Sequence, residues 1–473
     1  MSTLIVGSGL AGLTTAIKLR MENPESKVSI LEKAHPESNT QISGMRFRQR
    51  ISGRNRDPES DIRELLASRN SGIITDPMRL FAKDSIAELQ FWAEVGLPKT
   101  DSPEWFGPQF GTPNASGEGR GASVLRTLKE KAKELGVTFI QGEAIGINKQ
   151  GSSIEGIRVQ KIAATSGIAE LRADTYVLAG GSIGGNMFES TNKHIDFPPQ
   201  LLAYEAGLNL WNPTLHMLHP FGRSNDQGAA KRGCFETDNL ANTEVSFAVS
   251  GEKDTTTTDL LRDHKAHYEF PSICRRFLEN GGAVVLRDRA TGKERHARVS
   301  HHYSHLSIQT EGGVKVSGVD NLYAVGDASG LGEVTGHRVR FPGVALTKCL
   351  VDAAVVAKLL RREGSGHALT KSQLPDDMLK SEEVPNGLIK ANTEGLFGVE
   401  FGKNTHEQLA ATGMWIDALK PLDSASALVS LSRATSEAFL LKVGLGISEP
   451  IIVNQHGVKA EGSLLGTPRG RRL

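Results

Sequence analysis

The stretch Thr3–Gly12, TLIVGSGLAG, decides the fold of this chain. Its first four residues form a short, mostly apolar run that predicts a buried strand, and a helical pattern of apolar residues begins directly after the glycines. A second apolar run, Val28–Leu31, ends on Glu32 and predicts a second strand. Strand, glycine turn, helix, strand and acid follow one another within the length of one βαβ unit. This order indicates a dinucleotide-binding site rather than a merely structural turn.

Each of these residue types has a physical reason. Gly7 permits the tight turn, Gly9 lets backbone N–H groups approach a pyrophosphate, and Gly12 lets the helix pack closely on the strand. The helix N-terminus then faces the phosphates with the positive end of its dipole. Glu32 can accept hydrogen bonds from a ribose.

Composition excludes several classes of protein. The chain has 473 residues, of which 38% are hydrophobic, so it is long enough for two or three domains. Its net charge of +1 gives no case for nucleic acid or a membrane as partner. An apolar run long enough to cross a membrane is missing, and the first residues do not resemble a signal peptide. Three widely spaced cysteines suit a reducing compartment, and we therefore expect a cytoplasmic protein without a metal site.

Several later segments bear on the function. The apolar run 176–179 leads into a second glycine-rich turn at 180–185, and the strand predicted at 321–325 leads into Gly326 and Asp327. Residues 222–258 are polar and suggest a surface insertion or lid. A helix is predicted for 342–360, and the hydrophilic residues 364–385 indicate a linker.

These segments resemble the flavoprotein family of fumarate reductase, succinate dehydrogenase and L-aspartate oxidase. The resemblance covers roughly residues 1–365. The segment Leu322–Asp327 looks like the family's second FAD contact, which places Asp327 on the ribitol. The stretch 177–192, VLAGGSIGGNMFESTN, is similar to the strand and glycine turn before the family's capping domain. A nicotinamide enzyme has no need of the distant Gly-Asp strand, so FAD is favoured over NAD.

The resemblance implies an α/β fold with a Rossmann-like FAD-binding domain. An α+β capping domain interrupts it, and a mostly helical C-terminal region follows. The implied bounds are 1–216 for the first part of the FAD-binding domain, 217–302 for the capping domain, 303–362 for the completion of the FAD-binding domain, and 363–473 for the C-terminal region and tail.

The resemblance also implies a catalytic group of three residues. His219 falls in a segment like the family's Phe-His-Pro, and His302 in one like its His-Tyr-Thr; both histidines would bind a substrate carboxylate. Arg340 falls where the family has an arginine that clamps a carboxylate, and Arg338 is the alternative. A guanidinium fork and two imidazoles can hold the charge that develops beside the reacting carbon. Both histidines can instead be structural.

Because Asn39 stands where fumarate reductases and succinate dehydrogenases carry the histidine that bonds FAD covalently, FAD is expected to be non-covalent. Backbone groups of 344–346 would face the flavin pyrimidine. The predicted cofactor-binding residues are Gly7, Gly9, Leu10, Ala11, Gly12, Glu32, Lys33, Asn39, Thr40, Ala144, Gly180, Gly181, Gly326, Asp327, Val344, Ala345 and Leu346.

The chain departs from the family at three further places. Leu278 stands at the proton-shuttle arginine, which Arg275 or Arg276 could replace only if the backbone is shifted. Phe221 replaces a threonine that helps to hold a carboxylate. Residues 305–307 replace a Met-Gly-Gly-like segment beside the flavin. These differences argue against a plain fumarate reductase and favour a changed substrate.

The leading hypothesis is an FAD-dependent oxidoreductase that acts beside a carboxylate or carbonyl. Its nearest cases are aspartate-oxidase-like and dicarboxylate dehydrogenase or reductase chemistry. The partners would be a small carboxylate or carbonyl substrate and dioxygen or a soluble electron acceptor, since no haem motif or iron–sulfur cysteine set is present. The alternatives are a flavin-binding redox sensor without turnover and an NAD(P)H-dependent flavin monooxygenase.

Overall fold

A computed structural model describes the placement of somewhat more than half of the chain. The described residues are 1–33, 38–41, 43–45, 47, 73–74, 81, 84–85, 88, 90–92, 94–100, 109–111, 119–160, 168–182, 199–211, 216–226, 230–235, 237–266, 269–304, 307–330, 344–364, 382–383, 451–454 and 457–460.

The described elements are numbered in chain order. The helices are α1 Leu10–Glu22, α2 Arg120–Glu134, α3 Pro199–Glu205, α4 Thr255–Arg262, α5 Phe270–Glu279 and α6 Val344–Gly364, with 3₁₀ turns at Thr237–Leu240 and Gly326–Ala328. The strands are β1 Ser2–Val6, β2 Lys27–Glu32, β3 Ile73–Ile74, β4 Lys99–Thr100, β5 Gln109–Phe110, β6 Thr138–Gln141, β7 Glu143–Gln150, β8 Ser153–Gln160, β9 Ile168–Leu171, β10 Thr175–Leu178, β11 Leu210–Trp211, β12 His216–Ser224, β13 Ala230–Cys234, β14 Thr243–Phe247, β15 Ala283–Asp288, β16 Glu294–Ser304, β17 Ser307–Ile308, β18 Thr310–Glu311, β19 Lys315–Val316, β20 Leu322–Ala324, β21 Glu382–Glu383, β22 Ile451–Asn454 and β23 Gly457–Ala460.

A seven-stranded sheet carries the site. Its order is β18-β19-β20-β10-β1-β2-β6, and the five strands from β20 to β6 run parallel. Alternate residues of β1 enter two different cores: Ile5 faces the core that includes α1 and α6, while Leu4 and Val6 face the core on the other side, which includes the three-stranded sheet β7-β8-β9. Burial on both faces explains why Leu4–Val6 of β1 form a continuous apolar run. The Rossmann-like parallel sheet expected from the first forty residues is confirmed.

A separate antiparallel sheet follows in the chain. Its order is β13-β12-β16-β15-β14, and its core contains side chains of α4 and α5. The polar stretch 222–258, for which a surface insertion or lid was expected, contributes β13, β14 and the start of α4 to this body. Polar and apolar residues alternate in β14, and its inward-facing Val245 and Phe247 are buried. The low apolar content therefore reflects a strand with one covered face.

The C-terminal region is described only in part. The predicted linker 364–385 and the predicted helical region lie almost wholly outside the described residues. The described exceptions include β22, which pairs with β11, and β23, which pairs with β22. Among the described helices, none combines the length and the apolar composition that crossing a membrane requires.

Candidate cofactor site and active site

The first glycine turn is built so that only glycine fits. Gly7 has a φ of +115°, and a Cβ added there would lie 2.7 Å from the carbonyl oxygen of Ala179. A Cβ added at Gly12 would lie 2.0 Å from the carbonyl oxygen of Gly7. The turn, the start of α1 and the end of β10 are therefore in direct contact, and a side chain at either glycine would separate them.

The N-terminus of α1 points at a cavity. Gly9 is the N-cap residue, and Gly7, Gly9, Leu10 and Ala11 line the cavity wall. The Leu10 N–H donates to Thr40 Oγ1 at 3.3 Å. The first helical turn leaves further N–H groups without partners inside the helix, and together with the helix dipole these groups favour an anion.

The cavity has a volume of about 520 Å³, within the range typical of small-molecule sites. It lies where β1, β2 and β10 end, which is the usual ligand position in open α/β sheets. Twelve of the predicted cofactor-binding residues line it: Gly7, Gly9, Leu10, Ala11, Glu32, Lys33, Asn39, Thr40, Ala144, Gly180, Gly181 and Asp327.

The other five predicted cofactor-binding residues are not among the lining residues. Gly12 lies behind the first turn, and Gly326 directly precedes Asp327. Residues 344–346 form the first turn of α6, and one turn further along, Cys349 reaches the cavity. The segment 331–343 that leads into this helix lies outside the described residues. The predicted contact between the backbone of 344–346 and the flavin therefore stays a prediction.

Glu32 stands at one end of the cavity and is 7% exposed. Its two carboxylate oxygens accept hydrogen bonds from Lys129 Nζ at 2.7 and 2.9 Å, and Gln141 Nε2 donates to one of them. A carboxylate offers about four acceptor positions, so Glu32 keeps the capacity to accept ribose hydroxyls.

Sequence reasoning missed the basic residues at this end. Arg126 and Lys129 project from α2 into the cavity wall. Their spacing on an amphipathic helix is typical of a solvated face, so the local sequence does not indicate that these two residues line a cavity. Lys33 was predicted, and its Nζ lies 2.7 Å from Glu143 Oε1.

Asp327 stands on the cavity wall at the second glycine-containing turn. Gly326, with a φ of +64°, lets the chain turn there after β20. Burial raises the pKa of Asp327 to about 6, and the nearby Lys348 ammonium acts in the opposite direction. The two predicted carboxylates, Glu32 and Asp327, thus face one cavity.

His219 lies on β12 and is half-buried. Its Nδ1 accepts a hydrogen bond from the Phe221 N–H at 3.1 Å. Because Nδ1 accepts, the proton of the neutral ring is on Nε2, which makes Nε2–H a donor. The ring also packs against Phe270 at the start of α5, with 4.6 Å between centroids. Backbone and aromatic contacts therefore fix both the orientation and the tautomer of His219.

The strand β16, which carries His302, is the direct neighbour of β12. Leu218 pairs with His301 and His219 pairs with Ser300. The two segments that resemble histidine motifs of the family therefore lie side by side. The side chain of His302 and all of Arg340 lie outside the described residues, as does Arg338, the alternative to Arg340.

The structure shows the surroundings of Phe221 and Leu278, two positions at which the sequence differs from the family that it resembles. Phe221 is fully buried in the core of the antiparallel sheet, and Leu278 packs against the same core. Arg276 is bound to the N-terminus of α4, with its Nε 3.3 Å from Asp254 Oδ2 and Nη2 2.9 Å from Thr257 Oγ1. In this conformation the Arg276 guanidinium is engaged by Asp254 and Thr257.

Comparison with known families decides the identity of the cofactor. Residues 2–224 match the family model described as the FAD binding domain. The chain carries an FAD-binding domain. The cavity of this flavoprotein fits that group, because side-chain-free glycines and helical N–H donors stand between two carboxylates. Comparison with curated proteins by sequence finds no match.

Solved structures share the fold of this flavoprotein. A point variant of the E. coli quinol fumarate reductase FrdA superposes with a TM-score of 0.67 at 15% identity, covering 100% of this chain and 98% of that one. Mycobacterium smegmatis Sdh1 gives 0.59 at 16% identity, covering 93% and 86%. Adenylylsulfate reductase from Archaeoglobus fulgidus gives 0.57 at 13% identity, covering 98% and 95%. The FAD-binding domain, together with this fold, places the protein among the FAD-dependent oxidoreductases.

Proposed function

We propose that this flavoprotein adds or removes two hydrogens at a C–C or C–N bond beside a carboxylate or carbonyl. Aspartate-oxidase-like and dicarboxylate dehydrogenase or reductase chemistry are the nearest cases. FAD, when bound, supplies the two-electron acceptor or donor. The observation that carries the proposal is the placement of His219, with a fixed Nε2–H donor, beside the strand of His302.

The residues of the cavity wall would hold the cofactor without a covalent bond. The N–H groups at Gly9 and Leu10 would face the diphosphate, Glu32 the ribose, and Asp327 the ribitol. Lys129 and Gln141 keep the Glu32 carboxylate in place. Proposed domain bounds of 1–216 and 303–362 assign both carboxylates to one FAD-binding domain.

The proposed substrate site uses three groups. The Nε2–H of His219 would donate to a substrate carboxylate oxygen, and His302 and Arg340 would complete the clamp. Two-point binding of a planar carboxylate orients the neighbouring carbon and stabilises the charge that develops on it. With Phe221 buried in an apolar core and Leu278 packed against that core, this clamp differs from a plain fumarate reductase site.

A flavin-binding redox sensor without turnover is the second candidate. The observation that favours it is the state of the shuttle position, where Leu278 is apolar and Arg276 is bound to Asp254. A sensor needs a bound flavin but no proton donor for a substrate.

An anaerobic screen separates these candidates. Purified holoprotein is mixed with dicarboxylates and amino acids without oxygen, and bleaching of the yellow flavin band is followed. We expect one carboxylate or carbonyl compound to bleach the flavin, and Arg340→Ala to abolish bleaching while FAD stays bound. If no compound bleaches it, the sensor is favoured; if only NAD(P)H does, the monooxygenase is favoured.

A further inference from the structure

A buried ion pair lies directly behind the Asp327 turn. Lys348 and Asp352 stand one helical turn apart on α6, and their side chains are 1% and 6% exposed. Their ammonium and carboxylate groups are in contact. Removing two charged groups from water costs free energy, and an apolar pair of similar volume often stabilises a fold as well. The pair therefore calls for a role other than stability.

Both members of the pair hold the turn itself. Asp352 Oδ2 accepts a hydrogen bond from the Gly326 N–H at 2.8 Å, and Lys348 Nζ donates to Ser329 Oγ at 2.6 Å. The Ser329 hydroxyl lies 3.1 Å from the Gly326 carbonyl oxygen. Both ends of the segment 326–329 are thus fixed to α6, and Asp327 lies between them.

The turn has little freedom to move on its other sides. A Cβ added at Gly326 would lie 2.9 Å from Ala11 Cβ, on the first turn of α1, and 3.1 Å from Cys349 Sγ. Gln200 of α3 is fully buried and donates from Nε2 to the Gly181 carbonyl oxygen at 3.0 Å; the Asp327 carbonyl oxygen lies 3.4 Å from the same atom. The turn is therefore packed among three segments that reach the cavity.

We propose that Lys348 is a positioning residue for the cofactor: through Ser329 and Asp352 it holds the turn 326–329 so that the Asp327 carboxylate faces the cavity. The inference rests on the proposed binding of FAD in this cavity and adds a residue that does not itself line the wall. The pair also sets the charge around Asp327, since Lys348 favours and Asp352 disfavours its ionised form.

The test is a titration of wild type and variants with FAD, repeated across pH. Lys348→Met keeps an unbranched side chain as far as Cε and removes the ammonium, and we expect the affinity for FAD to fall about tenfold or more. The pH midpoint of FAD binding should move up in Lys348→Met and down in Asp352→Asn. Opposite shifts follow from the opposite charges, and a general loosening of the fold would not produce them.

Two further variants keep the result interpretable. Lys18→Met is the matched control, because it breaks another largely buried ion pair, that with Glu88, and Lys18 does not line the cavity. It should leave the affinity for FAD unchanged. Ser329→Ala removes only the hydroxyl held by Lys348 and should weaken FAD binding, as Lys348→Met does. If Lys348→Met does not fold, Ser329→Ala tests the positioning role in its place.

Unchanged affinity and unchanged pH midpoints in the folded Lys348 and Ser329 variants would overturn the positioning role while leaving FAD binding intact. Failure of the wild-type protein to bind FAD would instead remove the proposed function and this inference together.

Discussion

At the scale of single residues, Asp327 is the group whose chemistry depends most on its surroundings. It faces the cavity from a turn that is otherwise buried, and this burial raises its pKa to about 6. With a pKa of about 6, the Asp327 carboxyl group is half neutral near pH 6. Its capacity to accept a hydroxyl hydrogen bond therefore changes within the range in which the protein would be assayed.

The first prediction concerns this carboxyl group. An ionised Asp327 accepts from a ribitol hydroxyl, so FAD binding should release a proton, and affinity should rise as the pH increases from about 5 to 7. Asp327→Asn should bind FAD more weakly with little dependence on pH. Quenching of FAD fluorescence measures the affinity of wild type and of Asp327→Asn at each pH. An equal pH dependence of affinity in these two proteins would contradict the contact between Asp327 and the ribitol.

The same raised pKa affects the stability of the FAD-free protein. Because the folded-state pKa of Asp327 lies above its ordinary value, its contribution to stability is fully present below the ordinary pKa and is lost as the pH rises through about 6. Asp327→Asn should therefore be less sensitive to this pH change, which denaturant titrations at about pH 5 and 7 would show.

His219 gives the third prediction. Replacing it with Phe keeps the aromatic contact with Phe270 but removes the Nε2–H donor, so kcat/KM should fall about 100-fold with unchanged affinity for FAD. His296→Gln, on β16 of the same sheet, is the control and should be close to wild type. Full activity of His219→Phe on a compound found in the screen would exclude the donor role.

At the scale of elements, the contact between α1 and the end of β10 organises the cofactor site. It depends on Gly12, where an added Cβ would collide with the Gly7 carbonyl oxygen. Forcing these elements apart would move the helix N-terminus away from the phosphates that it is proposed to bind.

The fourth prediction follows from this contact. Gly12→Ala should lower the free energy of unfolding by about 2–3 kcal/mol and strongly weaken FAD binding. Gly119→Ala is the matched control, since among the described residues its added Cβ meets only the Gln41 carbonyl oxygen, at an ordinary 3.8 Å. Urea unfolding of both variants measures the difference, and equal stability would show that the turn relaxes without cost.

Sequence patterns identified the elements whose function is local. Thr3–Glu32 contains its own strand period, helix period and glycine spacing, and Leu322–Asp327 contains a strand and its turn, so both were predicted. Lys129 and Lys348 could not be predicted in the same way. Each is a lysine on a helix, and its role depends on a partner that is distant in the chain. Lys129 supports the cavity because it binds Glu32, and Lys348 is a buried charge that binds Ser329.

At the scale of the whole molecule, the cavity is lined by segments that are far apart in the chain. Residues near 7–13, 38–41, 141–144, 179–181 and 325–327 all contribute to its wall. A ligand in contact with all of them stabilises the folded state, because the unfolded chain cannot assemble the site.

The fifth prediction is a concentration-dependent rise in Tm with FAD. At about 100 times Kd, binding adds about 2.7 kcal/mol to the stability of the folded state. ADP, which offers only the part proposed to contact α1 and Glu32, should give a smaller rise, and riboflavin alone a smaller one still. Thermal scans over a range of FAD concentrations check this, and a Tm that does not change with FAD would contradict it.

The most direct test of the whole account is a structure determined with FAD bound. We expect the diphosphate against the N–H groups of Gly9 and Leu10, the adenine ribose at Glu32, the ribitol at Asp327, and the flavin ring directed towards His219 and His302. A flavin ring directed away from both histidines, or FAD bound outside this cavity, would contradict it.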